Sequence, residues 1–303
     1  MSAPSPVIQL QKVVKTFGSI RALQEFDLEV QEGQVHGLLG PNGAGKSTAI
    51  RLLLGILKKD SGEAVLLGKD PWHDAVALHH DIAYVPGDVL LWENLTGGEI
   101  IDVLTKLRGR YNEQRRQELI ERFQLDPRKK FRTYSKGNRQ KVALVAALAS
   151  DVPVYIFDEP TAGLDPLLEL VFQDEVKKLK DQGKTILLSS HILAEVEALC
   201  DAVTIIRDGV AVETGTLDEL RHLSETTIKA VVGGNPEEVK QLSGIHDLVI
   251  DGQRVSFLVN PSELNTALAR LSELDVQSIT SHPPTLEELF ISHYEDDKTS
   301  EAA

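Results

Sequence analysis

Across 303 residues, 32 basic side chains stand against 46 acidic ones, a formal charge of −14 that disfavours loose electrostatic binding to the phosphate backbone of nucleic acid. The length suffices for two domains, and the single cysteine, Cys200, excludes an internal disulfide and reads as a small buried residue in a reducing compartment. No apolar run approaches the ~18 residues of a membrane span and residues 1–7 lack the features of a secretion signal, so the protein is expected in the cytosol, reaching any membrane through a partner.

After a short polar tail, residues 8–14 and 26–30 roughly alternate apolar and polar, which predicts strands half-covered on one face. Between them lie Lys15, Thr16, Phe17 and Gly18; Phe17 either stacks on a flat base or belongs to the core. Residues 34–39 form an apolar strand and residues 49–57 carry an apolar helical pattern. The stretch joining them, Gly40, Pro41, Asn42, Gly43, Ala44, Gly45, Lys46, Ser47 and Thr48, fits the phosphate-binding pattern G-x-x-x-x-G-K-[ST] in its required strand–loop–helix setting. Gly40, Gly43 and Gly45 let successive N–H groups point inward, and the helix adds its positive end to this anion nest. Lys46 would reach β- and γ-phosphates, and the Ser47 hydroxyl would meet a Mg²⁺ ion.

Asp60, Ser61 and Gly62 break the chain before a short strand over 63–67; another strand, 82–86, leads to Gly87, Asp88, Leu90, Leu91 and Trp92. From 98 to 126 the period turns helical, with Ile100, Ile101, Leu104 and Leu107 on one face and Leu119, Ile120 and Phe123 on a second segment. The charged run 112–118 is expected as a solvated helix face. Tyr134, Ser135, Lys136, Gly137 and Asn138 precede an apolar helix over 142–149, with a serine where a cap belongs. The strand 154–157 ends in Asp158 and Glu159, two carboxylates that are expensive to place at the end of a buried strand. A helix over 166–182 stops at Gly183, and the strand 185–188 runs into Ser189, Ser190 and His191. A phosphate loop, a carboxylate pair and a histidine thus all sit at strand ends, which in parallel α/β sheets collect on one ligand-binding edge.

Beyond Thr216, strands at 227–232, 248–250, 255–259 and 276–279 alternate with helical stretches at 237–242 and 261–274, a β-α-β-β-α-β order with a turn at Asp251 and Gly252. Asn260 with Glu263, and Thr285 with Glu288, have capping-box spacing, so a last helix over 286–294 is expected to dock. This region holds no catalytic constellation.

In this order, over about residues 8–216, the motifs resemble the nucleotide-binding subunit of an ATP-binding cassette (ABC) transporter. The resemblance implies an α/β fold: a P-loop NTPase cassette over 7–216 with a parallel core sheet, an antiparallel β subdomain and a helical subdomain at about 88–150. An α+β accessory domain, ferredoxin-like with a short acidic tail, would fill 217–303. Residues 135–138 correspond to the signature loop, Asp158 and Glu159 to the Walker B end, 162–165 with Asp165 to the D-loop, His191 to the switch histidine and Phe17 to the base-stacking aromatic. The C-terminal domain and the ending 284–294 resemble the extension on partners of drug, antibiotic and polysaccharide exporters. The mechanism implied is a homodimer closing head to tail over two ATP molecules. Ser135 and the Gly137 backbone would donate to the γ-phosphate held by the opposite copy, and Glu159 would orient or deprotonate the attacking water. Asp158 would hold Mg²⁺ through a water, and His191 would contact the γ-phosphate. Implied with it are separate multi-span permease subunits, no nucleic-acid partner, a place at the cytoplasmic face of the membrane, and export of a drug, antibiotic or other hydrophobic compound.

Two departures stand out. Where the family usually has glutamine after the strand 82–86, this chain has Gly87 and Asp88, and Asp88 is expected to supply the missing metal-side oxygen through a water. The signature loop has Tyr134, Lys136 and Asn138 where leucine, glycine and glutamine are usual, with Lys136 expected in solvent. Residues 87–99, including Trp92, are expected to dock the permease, against the alternative that Trp92 is core. A small-molecule kinase would not need the signature, D-loop and histidine motifs, and a pure ATP-binding regulator would not need Glu159. A cytosolic cassette ATPase acting on ribosomes or DNA shares all five motifs, but this chain has one phosphate loop, no long heptad run and net negative charge.

Overall fold

A computed structural model describes residues 6–109, 112–222, 226–260 and 262–282. The chain divides into two compact units between Gly215 and Thr216. In the first, the elements in order are β1 (Ile8–Phe17), β2 (Ile20–Val30), β3 (Val35–Leu39), α1 (Lys46–Leu53), β4 (Ser61–Leu66), α2 (Ala75–Leu78), β5 (Ile82–Val85), α3 (Gly97–Arg108) and α4 (Glu113–Arg122). Then come α5 (Lys136–Leu148), β6 (Val154–Asp158), α6 (Pro166–Asp181), β7 (Thr185–Ser190), α7 (Leu193–Leu199), β8 (Ala202–Arg207) and β9 (Val210–Thr216).

Strands β2, β1 and β4 form an antiparallel sheet in that order. A second sheet has the order β5-β6-β7-β3-β8-β9, parallel from β5 through β8. Every residue of β3, β6 and β7 is buried, as expected for parallel strands covered on both faces, and each is built largely of apolar residues. Register pairs Leu39 with Ser190 and Asp158 with Ser189, so the phosphate loop, the carboxylates and the histidine leave the sheet at one edge.

Helix α1 starts at Lys46, before the apolar pattern at 49, because the first turn belongs to the phosphate loop; it ends at Leu53, short of the expected 57. No sequence expectation covers α7, β8 or β9, although β8 is an apolar run buried along most of its length. The charged run in α4 is more than a solvated face. Arg115 and Arg122 both pair with Glu175, which is fully buried on α6, while Arg122 also reaches Asp174 at 2.5 Å and Arg116 reaches Asp102 at 2.7 Å.

His36 lies buried on β3 with its Nε2 2.9 Å from Thr204 Oγ1, and burial lowers its pKa from 6.5 to about 4. Unfolding lets the ring take up a proton that the fold refuses, so its contribution is intact above pH 6.5 and lost as pH falls towards 4, roughly 3 kcal/mol in all. The urea midpoint should therefore drop between pH 7 and pH 4.5 by more in the native chain than in His36→Gln. Parallel pH profiles would refute this role.

The second unit has α8 (Leu217–His222), β10 (Thr226–Val232), β11 (Ile245–Asp251), β12 (Arg254–Val259), α9 (Leu264–Glu273) and β13 (Val276–His282). Its sheet order is β11-β12-β10-β13, with every pair antiparallel, over a core that includes Ile228, Val232, Phe257 and Leu271. The expected helix at 237–242 is instead a 3-10 helix, Pro236–Gln241. Helix α9 starts at Leu264, so the Asn260 side chain lies too far back to cap it; Asn260 instead accepts from Glu263 N through its carbonyl at 2.9 Å. The expected helix over 286–294 and the Thr285–Glu288 pair lie outside the described residues.

Candidate active site

The loop leaving β3 takes its shape from glycines at two tight points. A Cβ on Gly40 would come within 2.3 Å of the Ile206 carbonyl; one on Gly45, at φ 114°, within 2.7 Å of the Ala22 carbonyl. Pro41, Asn42, Gly43, Gly45, Lys46, Ser47 and Thr48, with Glu159 opposite, line a pocket of about 140 Å³, while Ala44 is buried beneath it. Lys46 is only 4% exposed. Its Nζ donates to the carbonyls of Gly40 at 2.6 Å and Pro41 at 3.1 Å and lies 3.4 Å from Glu159 Oε1. A buried ammonium at the mouth of a backbone nest is a preformed receptor for phosphate oxygens, and the pocket's volume suits phosphate groups with the rest of a nucleotide outside.

The two carboxylates ending β6 have separate surroundings. Asp158 is buried, and its Oδ1 accepts from Ser189 Oγ at 2.5 Å. Glu159 sits in the left-handed region at φ 47°, its N–H donating to both the carbonyl and the hydroxyl of Ser189 at 3.1 Å. This turn swings its side chain over the pocket, where Oε2 lies 3.3 Å from His191 Nδ1 while Oε1 faces Lys46. Lys46, Glu159 and His191 are thus brought together. No sequence expectation singles out Ser189, which holds the Asp158 carboxylate and the Glu159 main-chain N–H; the polar run of Ser189, Ser190 and His191 at a strand end is its only signal.

Ser135 caps α5, accepting from Asn138 N at 3.4 Å, and Asp165 caps α6, accepting from Leu168 N at 3.1 Å. Gly137 lies against the D-loop stretch, where a Cβ would meet the Gly163 carbonyl at 2.2 Å. Neither Ser135, Gly137 nor Asp165 lines the phosphate pocket of its own chain. Phe17 is 46% exposed at the end of β1, with the Lys15 ammonium 5.3 Å from its ring, so it is not core. Gly87 packs beneath the carboxylates, 3.2 Å from the Asp158 carbonyl for an added Cβ; Asp88 is exposed and outside the pocket lining. Among the described residues no group of three or more histidine, cysteine and carboxylate side chains is placed to hold a metal ion.

Elsewhere in this unit, an apolar groove of about 610 Å³ is lined by Leu54, Ile56, Val76, Tyr84, Leu104 and Leu107 among others. Trp92 is 49% exposed, which excludes the core alternative for it. The loop carrying Trp92 is laced to the stretch before Ser135 through the main chain: Phe131 N to Leu95 O at 2.9 Å, Gly97 N to Lys129 O at 3.0 Å, and Gly98 N to Pro127 O at 2.8 Å. Tyr134 adds a hydroxyl bond to the Asp126 carbonyl at 2.5 Å.

A phosphate loop, a carboxylate pair and a histidine at the ends of neighbouring parallel strands define a P-loop nucleoside triphosphatase. Residues 23–162 match the ABC transporter family, and residues 215–294 match the C-terminal domain of ATP-binding proteins like DrrA1-3. The chain is 32% identical to the ABC transporter ATP-binding protein YdbJ of Bacillus subtilis over 94% of each chain. It is also 32% identical to the daunorubicin resistance ATP-binding protein DrrA3 of Streptomyces coeruleorubidus, again over 94% of each. A solved ATP-binding subunit of an ABC transporter superposes with a TM-score of 0.66 at 31% identity, covering 71% of this chain and 92% of that one. The chain belongs to the ATP-binding proteins of ABC transporters, and it is an ABC-type ATPase that binds ATP. No helix among the described residues is long and apolar enough to cross a membrane.

Proposed function

We propose that the protein powers a separate multi-span permease at the cytoplasmic face of a membrane, exporting a drug, antibiotic or other hydrophobic compound. The observation that carries this reading is the match along both regions of the chain to a relative whose name is daunorubicin resistance ATP-binding protein. The exposed apolar groove and Trp92 supply a surface for a permease segment, which supports the dock expected at 87–99.

Two copies close head to tail. Lys46 and the loop N–H groups hold the β- and γ-phosphates, with Phe17 against the base, while Ser135 and the Gly137 N–H reach the same phosphates from the opposite copy. The Asp165 caps keep each D-loop in place at the junction. Glu159, turned over the pocket, orients the attacking water and accepts its proton, and His191 stabilises the charge that develops on the γ-phosphate. Bound Mg²⁺ would neutralise phosphate charge in the transition state. The Ser47 hydroxyl would hold it directly, Asp158 through a water, and Asp88 through a further water.

Glu159→Gln protein, isolated with ATP and Mg²⁺ from gently solubilised membranes, should carry a polytopic membrane protein in a two-to-two assembly. Recovery in the soluble fraction with ribosomes or DNA would overturn the transport reading and favour a cytosolic mechanochemical ATPase.

A further inference from the structure

A buried carboxyl next to the site has no part in the chemistry above. Glu195, 6% exposed on α7, accepts from Ser190 Oγ through Oε2 at 2.6 Å. That hydroxyl accepts in turn from Ile192 N at 2.9 Å, and the Ser190 carbonyl accepts from Gly40 N at 3.4 Å. The residues on both sides of His191 are therefore fastened to one carboxyl, and the same peptide touches the start of the phosphate loop. His191 needs such an anchor, since its own side chain is half-exposed and its ion pair with Glu159 spans 3.3 Å. Helix α7 has no side-chain cap at Ile192, and the N–H of Ile192 itself is received by the Ser190 hydroxyl. Burial pushes the Glu195 pKa up, against the hydrogen bonds of Ser190 and Thr161; Glu169 adds to the rise and His191 opposes it. A group this costly to bury is retained for what it holds.

We propose that Glu195 is a positioning residue for ATP hydrolysis, which acts through Ser190 to fix the backbone carrying His191 so that its ring stays beside Glu159. The inference rests on the role given to His191 above. Loss of the anchor lets the ring drift by an ångström or so, which is enough to slow the chemical step on the order of 10- to 100-fold without touching the phosphate nest.

The test is steady-state ATP hydrolysis and thermal unfolding of the full chain with Glu195→Ala, Glu195→Gln, Ser190→Ala and His191→Ala. In Glu195→Ala, kcat should fall on the order of 10-fold or more with KM for ATP within about twofold, and Ser190→Ala should fall similarly. Glu195→Gln, which keeps an acceptor oxygen and adds no charge, should stay within about threefold of the native kcat. If Glu195→Ala fails to fold, Ser190→Ala and Glu195→Gln decide the question. Native kcat in Glu195→Ala or Ser190→Ala beside a crippled His191→Ala would overturn this inference alone; so would a joint loss of kcat, nucleotide affinity and melting temperature, or failure of Glu195→Gln to rescue. Native turnover in His191→Ala would overturn the role of His191 and this inference with it.

Discussion

Glu159→Gln should bind ATP and lose turnover by about 10³-fold, within the range for removal of a general base or its equivalent. The substitution keeps the side chain's length and changes no backbone requirement beyond the left-handed φ that Glu159 already adopts. What disappears is the negative charge that faces Lys46 at 3.4 Å and His191 at 3.3 Å, and with it the acceptor for the water's proton. With ATP and Mg²⁺ present the variant should also accumulate as a stable dimer, seen as an ATP-dependent shift in light scattering. Brisk single-turnover hydrolysis by the variant would remove Glu159 from the mechanism.

Lys46→Ala should weaken ATP binding on the order of 100-fold, read by titration with a fluorescent nucleotide. The Nζ is held by two main-chain carbonyls at 2.6 and 3.1 Å, so it is already oriented before any phosphate arrives. Alanine removes both the charge and that preorganisation, and leaves the glycine-built loop otherwise intact. The melting temperature of the variant separates lost binding from lost folding. Unchanged affinity in a folded variant would contradict the phosphate-loop assignment.

Much of this site could be read before any coordinates because its chemistry is local. The stretch from Gly40 to Thr48 is constrained by turns only glycine tolerates, Asp158 and Glu159 end an apolar buried run, and His191 follows another after Ser189 and Ser190. What sequence could not supply was pairing across the fold. That Ser189 holds the Asp158 carboxylate and the Glu159 N–H, that Glu175 takes two arginines from α4, and that Glu195 fastens the chain around His191 are all contacts between elements. Charge alone made α4 look solvated, since a run rich in arginine and glutamate carries no mark of a buried acid elsewhere. The same limit applies to Ser135 and Gly137, which lie outside their own chain's phosphate pocket.

The lacing between the Trp92 loop and the stretch before Ser135 is made largely of peptide groups, with Leu95, Lys129 and Pro127 contributing only carbonyls and Phe131, Gly97 and Gly98 only N–H groups. Main-chain bonds are indifferent to most substitutions. Exposed side chains of this loop such as Trp92 can therefore be exchanged without removing a bond that ties it to the stretch before Ser135. Two kinds of change are exceptions: proline at position 97, 98 or 131 would delete the donor itself, and any side chain at Gly97 would meet the Tyr134 hydroxyl at 2.5 Å.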